Sequence, residues 1–169
     1  MIIYFFSLLC KVIKIKLYDI SIMTRGLRNN NPLNIRKGSN WKGLSKVQSD
    51  KKFCQFDDIV YGVRAALVVL RTYHYKHRLY SLIDVISRFA PSSDGNNVSN
   101  YCYLISKYFN ISLPPSHPYH SVTPQSLLNL WWNNKEPKPM VFRLLSAMCV
   151  VESNYNLDYQ TYLNAVALL

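Results

Sequence analysis

Carboxylates are scarce in this chain. Nine Asp and Glu stand against 20 Lys and Arg in 169 residues, so few side chains are available for acid–base chemistry. The four cysteines, Cys10, Cys54, Cys102 and Cys149, form no C-x-x-C pair, and none lies near a His at zinc-finger spacing. That pattern excludes the usual zinc and dithiol motifs and leaves small core residues in a reducing compartment. The apolar run Ile2–Cys10 is too short to cross a bilayer, so no transmembrane span is expected. There is no internal repeat, no low-complexity tract and no sign of a second domain. No helix-turn-helix, zinc or RNA-binding signature is present, so no specific nucleic-acid partner is expected.

What is present is a globular composition, with 49% hydrophobic residues, and a heavy aromatic load that includes 13 Tyr and three Trp. Aromatic side chains fill cores and also line sugar and base-stacking grooves; composition does not choose between these uses. The net charge of +11 draws the chain to polyanions, among them nucleic acid, anionic membrane and cell wall, although a basic solvated face accounts for it equally well. His74/His77 and His117/His120 form two H-x-x-H pairs, but no third ligand accompanies either, so solvent-facing histidines are expected. Neither a metal nor a cofactor is implied.

Residues 1–22 differ from the rest. Lys11, Lys14 and Lys16 follow the apolar run rather than precede it, and no A-x-A cleavage site is seen, which is not the order of a secretory signal. Met23 opens a segment that looks like a natural start. The first 22 residues are therefore read as an upstream extension, with a membrane-associating helix and an atypical export signal as rivals. Residues 23–169 are expected to form a single domain.

Residues 25–46 are loop-rich, because Pro32 pushes its predecessor towards extended geometry and Gly38, Asn40 and Gly43 are turn residues. Alternation over Val47–Phe56 suggests a short hairpin. A helix is expected from Asp57 or Asp58 as cap to about His77, a second over Ser81–Phe89 ending at Pro91, and a third over Val98–Phe109 with Tyr101, Leu104, Ile105 and Tyr108 on its apolar face. Thr123 and Pro124 suit the start of a short helix reaching Trp131 and Trp132. Pro139 starts another helix. From Met140 to Val151 only Arg143 and Ser146 are polar, and a helix apolar nearly all round is a buried one. A last helix is expected over Tyr159–Leu168.

Only two glutamates occur. Glu136 lies between prolines and lysines and reads as an exposed loop residue. Glu152 emerges from the end of the apolar helix and is followed by Ser153–Asn154–Tyr155–Asn156. A carboxyl group against apolar walls and at the negative end of a helix dipole has its ionised form disfavoured. Such a group can remain protonated near neutral pH and donate a proton to a leaving oxygen. Spacing alone equally allows a glutamate that turns outward and is solvated.

Val151–Asn156 resembles the catalytic-helix ending of lytic transglycosylases, in which a Glu-Ser pair is followed by an aromatic residue and Asn. A longer run is similar to a phage family of virion structural proteins, named after the murein-degrading protein of enveloped double-stranded RNA phages. The residues that carry this similarity are Arg25–Arg36, Trp41–Gly43, Phe53–Phe56, Tyr61–Ala65 and Arg88–Tyr101, and it extends over about residues 23–169. The resemblance implies a mainly α, α+β lysozyme-like fold: a helical bundle around a buried C-terminal catalytic helix, with a small loop and hairpin region. Because the glutamate helix here follows the Asn-rich segment, the fold is expected to be circularly permuted relative to lytic transglycosylases. The chain departs from the family pattern in having Glu-Ser-Asn for Glu-Asn-Gly, and Leu33 where Gly is usual. If that turn needs a positive φ, Leu33 is strained.

The activity implied is cleavage of bacterial peptidoglycan with Glu152 as catalytic acid. Hydrolysis usually uses two carboxylates flanking the bond, whereas a lytic transglycosylase is implied to need one, which suits this chain. Asp57, Asp58 and Asp158 read better as caps or surface residues. Asn31, Asn34, Trp41, Tyr61, Tyr101, Asn154 and Tyr155 are the expected substrate-binding residues. Turn formation for Asn29 and Asn30, core packing for Tyr61 and Tyr101, and loop anchoring for Trp41 stand beside that reading. Arg64 is expected to bridge to a nearby Asp, and Trp131–Trp132 to pack in the core. Partners implied are peptidoglycan and other virion proteins, and the location is a virion or a host cytoplasm with access to the wall. A virion structural protein without activity is the main rival.

Overall fold

The computed structural model describes residues 23–111, 132–134 and 136–169. The N-terminal segment, Cys10, His117, His120, Trp131 and most of the helix expected from Thr123 lie outside the described residues. The chain is mainly helical. Its elements are α1 (Arg25–Arg28), α2 (Ile59–Tyr75), α3 (Leu82–Phe89), α4 (Val98–Ile111), α5 (Pro139–Ser153) and α6 (Tyr159–Val166), with a short hairpin of β1 (Trp132–Asn133) and β2 (Glu136–Pro137). One 3₁₀ turn, Ser92–Asp94, separates α3 from α4.

The helix starts are written in the local sequence. Asp58 caps α2 by accepting from the Val60 N–H, Ser81 caps α3 through the Asp84 N–H, and Asp158 caps α6 through the Thr161 N–H; each satisfies a backbone donor that the first turn leaves orphaned. Asp57 is exposed. Pro139 occupies the first turn of α5, where its missing N–H costs nothing.

Helix α5 is the centre of the molecule. Val141, Leu144, Leu145, Met148 and Cys149 on it are all fully buried. It packs along α4 and touches α1, while α2 packs on α6 and α3 on α4. Cys54, Cys102 and Cys149 are buried free thiols. Among the described residues no helix is long and apolar enough to cross a membrane.

Several expectations are corrected. Val47–Phe56 is not a hairpin on itself: Phe53 pairs with Arg36 and Phe56 with Leu44, so the second half of the segment turns back onto the preceding loop. The Gln48 side chain takes the place of a strand, accepting from the Gln55 N–H and donating to the Gln55 carbonyl. Trp132 belongs to β1, opposite Pro137, rather than to a helix. Arg64 reaches the Leu168 carbonyl at 3.1 Å and not an aspartate. The buried face of α4 is Tyr101, Cys102, Ile105 and Phe109, rotated from the expected one, with Leu104 and Tyr108 half-buried.

Candidate functional site

The loop after α1 is set by its asparagines. Asn31 is fully buried. Its Oδ1 accepts from the Ile35 N–H at 2.7 Å, and its Nδ2 donates to the carbonyls of Ile35 and Cys54 at 3.0 and 2.8 Å. That amide is spent on backbone and leaves no surface for a ligand. The left-handed positions of the loop are Asn30 and Asn34, at φ 49° and 50°; Asn tolerates this region better than most residues with a Cβ. Leu33 is not at positive φ. It is 1% exposed and part of the core, so the Gly-to-Leu departure supplies packing and stores no strain.

The turn at Asn34 aims its side chain at the end of α5. Asn34 Nδ2 donates to Glu152 Oε2 at 3.0 Å, and the Tyr101 hydroxyl of α4 donates to Glu152 Oε1 at 2.8 Å. Each carboxylate oxygen is thus held by a different element. Burial, followed by the neighbouring Glu152 charge and hydrogen bond, pushes the Tyr101 hydroxyl far above its ordinary pKa, which keeps it a donor. Cys149, one turn before Glu152, is also pushed up, first by burial and then by the same carboxylate, so it stays a thiol.

The end of α5 is locked to the loop. Ser153 Oγ donates to the Pro32 carbonyl at 2.7 Å, and Thr24 Oγ1 donates to the Ser153 carbonyl at 2.8 Å. A Cβ on Gly26 would stand 1.9 Å from Ser153 Oγ, and one on Gly62 would stand 2.0 Å from the Asn30 carbonyl oxygen. These two glycines let the loop lie flat on α5 and α2. Asn154 closes α5 in the left-handed region at φ 50°, exposed to solvent.

Glu152 and Asn34 border a cleft of about 720 Å³. Trp41, Phe53, Tyr73 and Phe89 supply aromatic surface to it, and Arg36, Arg88 and Asp94 supply charge. Arg36 pairs with Asp94 at 2.9 Å. Arg88 lies 3.2 Å from His77 Nε2 and over the Tyr73 ring. Of the residues expected from sequence, Glu152, Asn34 and Trp41 line this cleft, and Tyr101 is buried beside it, bonded to Glu152. Tyr61 packs against Gly43, and Tyr155 and Asn154 lie beyond the helix end; none of the three lines the cleft. Arg36, Asp94 and Arg88 carried no sequence signal of their own as cleft residues, and neither did Ser153 as a lock. Among the described residues no three His, Cys, Asp or Glu gather as metal ligands.

Fold and site together define a mainly helical protein whose central helix delivers one carboxylate to an aromatic-lined cleft. No family model matches the chain. Over 91 residues, 52% of this chain, it is 41% identical to Protein P5 of Pseudoalteromonas phage PM2. The match covers 56% of that protein, so the chain spans a little over half the length of this phage relative.

Proposed function

We propose that this chain cleaves the glycan strands of bacterial peptidoglycan, as a circularly permuted, lysozyme-like lytic transglycosylase formed by residues 23–169. The observation that carries the reading is the Glu152 carboxylate at the cleft, gripped at one oxygen by Asn34 and at the other by Tyr101. Similarity to a phage protein is consistent with it, since phages must breach the wall.

In the proposed reaction a protonated Glu152 gives its proton to the glycosidic oxygen as the bond to the anomeric carbon breaks. The resulting carboxylate then takes the proton of the same sugar's 6-hydroxyl as that oxygen bonds to the anomeric carbon, closing an anhydro ring without water. Asn34 and Tyr101 hold the carboxyl group in position through both steps, and a fixed geometry of this kind lowers the barrier by removing the entropy of approach. Trp41 offers a flat face to a sugar ring.

The test is incubation of the full chain, wild type and Glu152→Gln, with murein sacculi and mass analysis of the soluble fragments. Anhydro-muropeptides from wild type alone are expected. Reducing-end sugars would instead indicate hydrolysis, which Asp94 in the same cleft makes a defined second reading: Asp94→Asn should then abolish activity. A folded wild type that releases nothing would sink both and leave a structural role.

A further inference from the structure

The positive charge of this protein is concentrated beside the cleft. Residues 23–56 contain Arg25, Arg28, Arg36, Lys37, Lys42, Lys46, Lys51 and Lys52 against a single carboxylate, Asp50. Eight cations less one carboxylate is seven of the chain's net +11, in a fifth of its length. All eight side chains are exposed. Asp50 is engaged by Arg25, and Arg36 by Asp94. The other six have no carboxylate partner among the described residues.

The lobe also holds like charges together. With Arg36 opposite Phe53 in an antiparallel bridge, Lys37 stands directly opposite Lys52, and the Lys37 N–H donates to the Lys52 carbonyl at 3.0 Å. Like charges across a ladder cost stability, so this arrangement is explained better by what it meets than by what it holds together. The same segment supplies Arg36, Trp41 and Phe53 to the cleft wall. A polymer seated against Glu152 therefore runs onto this lobe.

We infer that the lobe formed by residues 23–56 is a docking surface for the carboxylate-bearing peptide stems of the wall polymer cut in the cleft. The inference rests on the proposed activity for the identity of that polymer. Charge on this scale steers encounter and retains a polyanion through many weak, salt-sensitive contacts. Single-stranded nucleic acid, the other polyanion to weigh, binds by stacking bases on open aromatic faces. Of the lobe's aromatic residues Phe56 is buried and Phe53 is flanked by the guanidinium groups of Arg25 and Arg36, at 4.6 and 5.9 Å from its ring centre; Trp41 alone is too little to stack successive bases, which favours the peptide carboxylates.

The experiment compares Glu152→Gln with the same chain further carrying Lys42→Gln, Lys46→Gln, Lys51→Gln and Lys52→Gln, in co-sedimentation with intact sacculi over a salt series. Binding does not require cleavage, so it reads this inference apart from the activity. The expected result is a drop in affinity of at least about tenfold with a shallower salt dependence, and an equal drop for the parent on sacculi whose carboxylates have been amidated. The melting temperature should hold or rise, since Lys37 loses its like-charged neighbour. Unchanged binding by the four-lysine variant, or undiminished binding to amidated sacculi, would overturn the inference. So would a variant that keeps sacculus binding but loses binding to a DNA oligonucleotide, which would assign the lobe to nucleic acid.

Discussion

Asn34 and Tyr101 each give Glu152 one hydrogen bond, and as the proton leaves in the proposed reaction each becomes a bond from a neutral donor to a carboxylate, a class worth about 1.5–3 kcal/mol. If both are realised in the transition state, Tyr101→Phe and Asn34→Ala should each lower kcat on sacculi by roughly ten- to a hundredfold with KM little changed; an unaltered kcat would show that positioning of Glu152 lies elsewhere. Asn31 belongs to stability instead. Asn31→Ala strands the Ile35 N–H and two carbonyls inside the protein, and urea unfolding should show a loss of roughly 3 kcal/mol. Leu33 teaches a smaller lesson at the same scale. Strain was the natural fear for a Leu in a Gly position, but the loop puts its left-handed residues on either side of it, at Asn30 and Asn34.

Between elements, the decisive contact is the seam joining α5 to the loop after α1. The same loop also lies against α2, and Gly62 marks how close it comes there. Gly62→Ala would drive a methyl into the Asn30 carbonyl, and the misfit should cost about 1–3 kcal/mol, with activity falling alongside because Asn34 sits on the displaced loop. Asp50 ties the other end of that loop. It accepts from Arg25, Asn29 and the N–H groups of Lys52 and Phe53, with the Arg25 guanidinium as the main cause of a carboxyl held far below its ordinary range. A carboxyl with a depressed folded-state pKa contributes stability that is fully present above its unfolded value of about 3.9 and lost as pH falls below it. Wild-type stability should therefore fall progressively from about pH 4 downward, and Asp50→Asn should be weaker at pH 7 with a flatter acid limb. An identical acid limb in the two proteins would show that Asp50 does not govern it.

At the scale of the molecule, charge and cleft are neighbours: seven of eleven net charges sit in the lobe that walls the cleft. Added salt should slow cleavage of sacculi but leave cleavage of a short uncharged glycan nearly constant, because screening acts on the long-range encounter and not on Glu152. Equal salt sensitivity for the two substrates would detach the lobe from the reaction.

Local chemistry settled much of this protein from sequence. Capping by Asp58 and Asp158, Pro139 at a helix start, and the nearly continuous apolar run before Glu152 depend on neighbours within a turn or two, so they read correctly in one dimension. Glu152 stood out because only two glutamates exist and one of them ends a helix that must be buried. Asn34 and Tyr101 were named through family resemblance, and their grip on Glu152 spans 118 and 51 positions, beyond any local pattern. The Ser153–Pro32 lock, the Arg36–Asp94 pair, the pairing of Phe53 with Arg36 rather than within a hairpin, and the burial of the Asn31 amide were likewise decided only when the chain closed on itself. Helix signals act within four residues, whereas a cleft is made by surfaces that meet only after the core has packed.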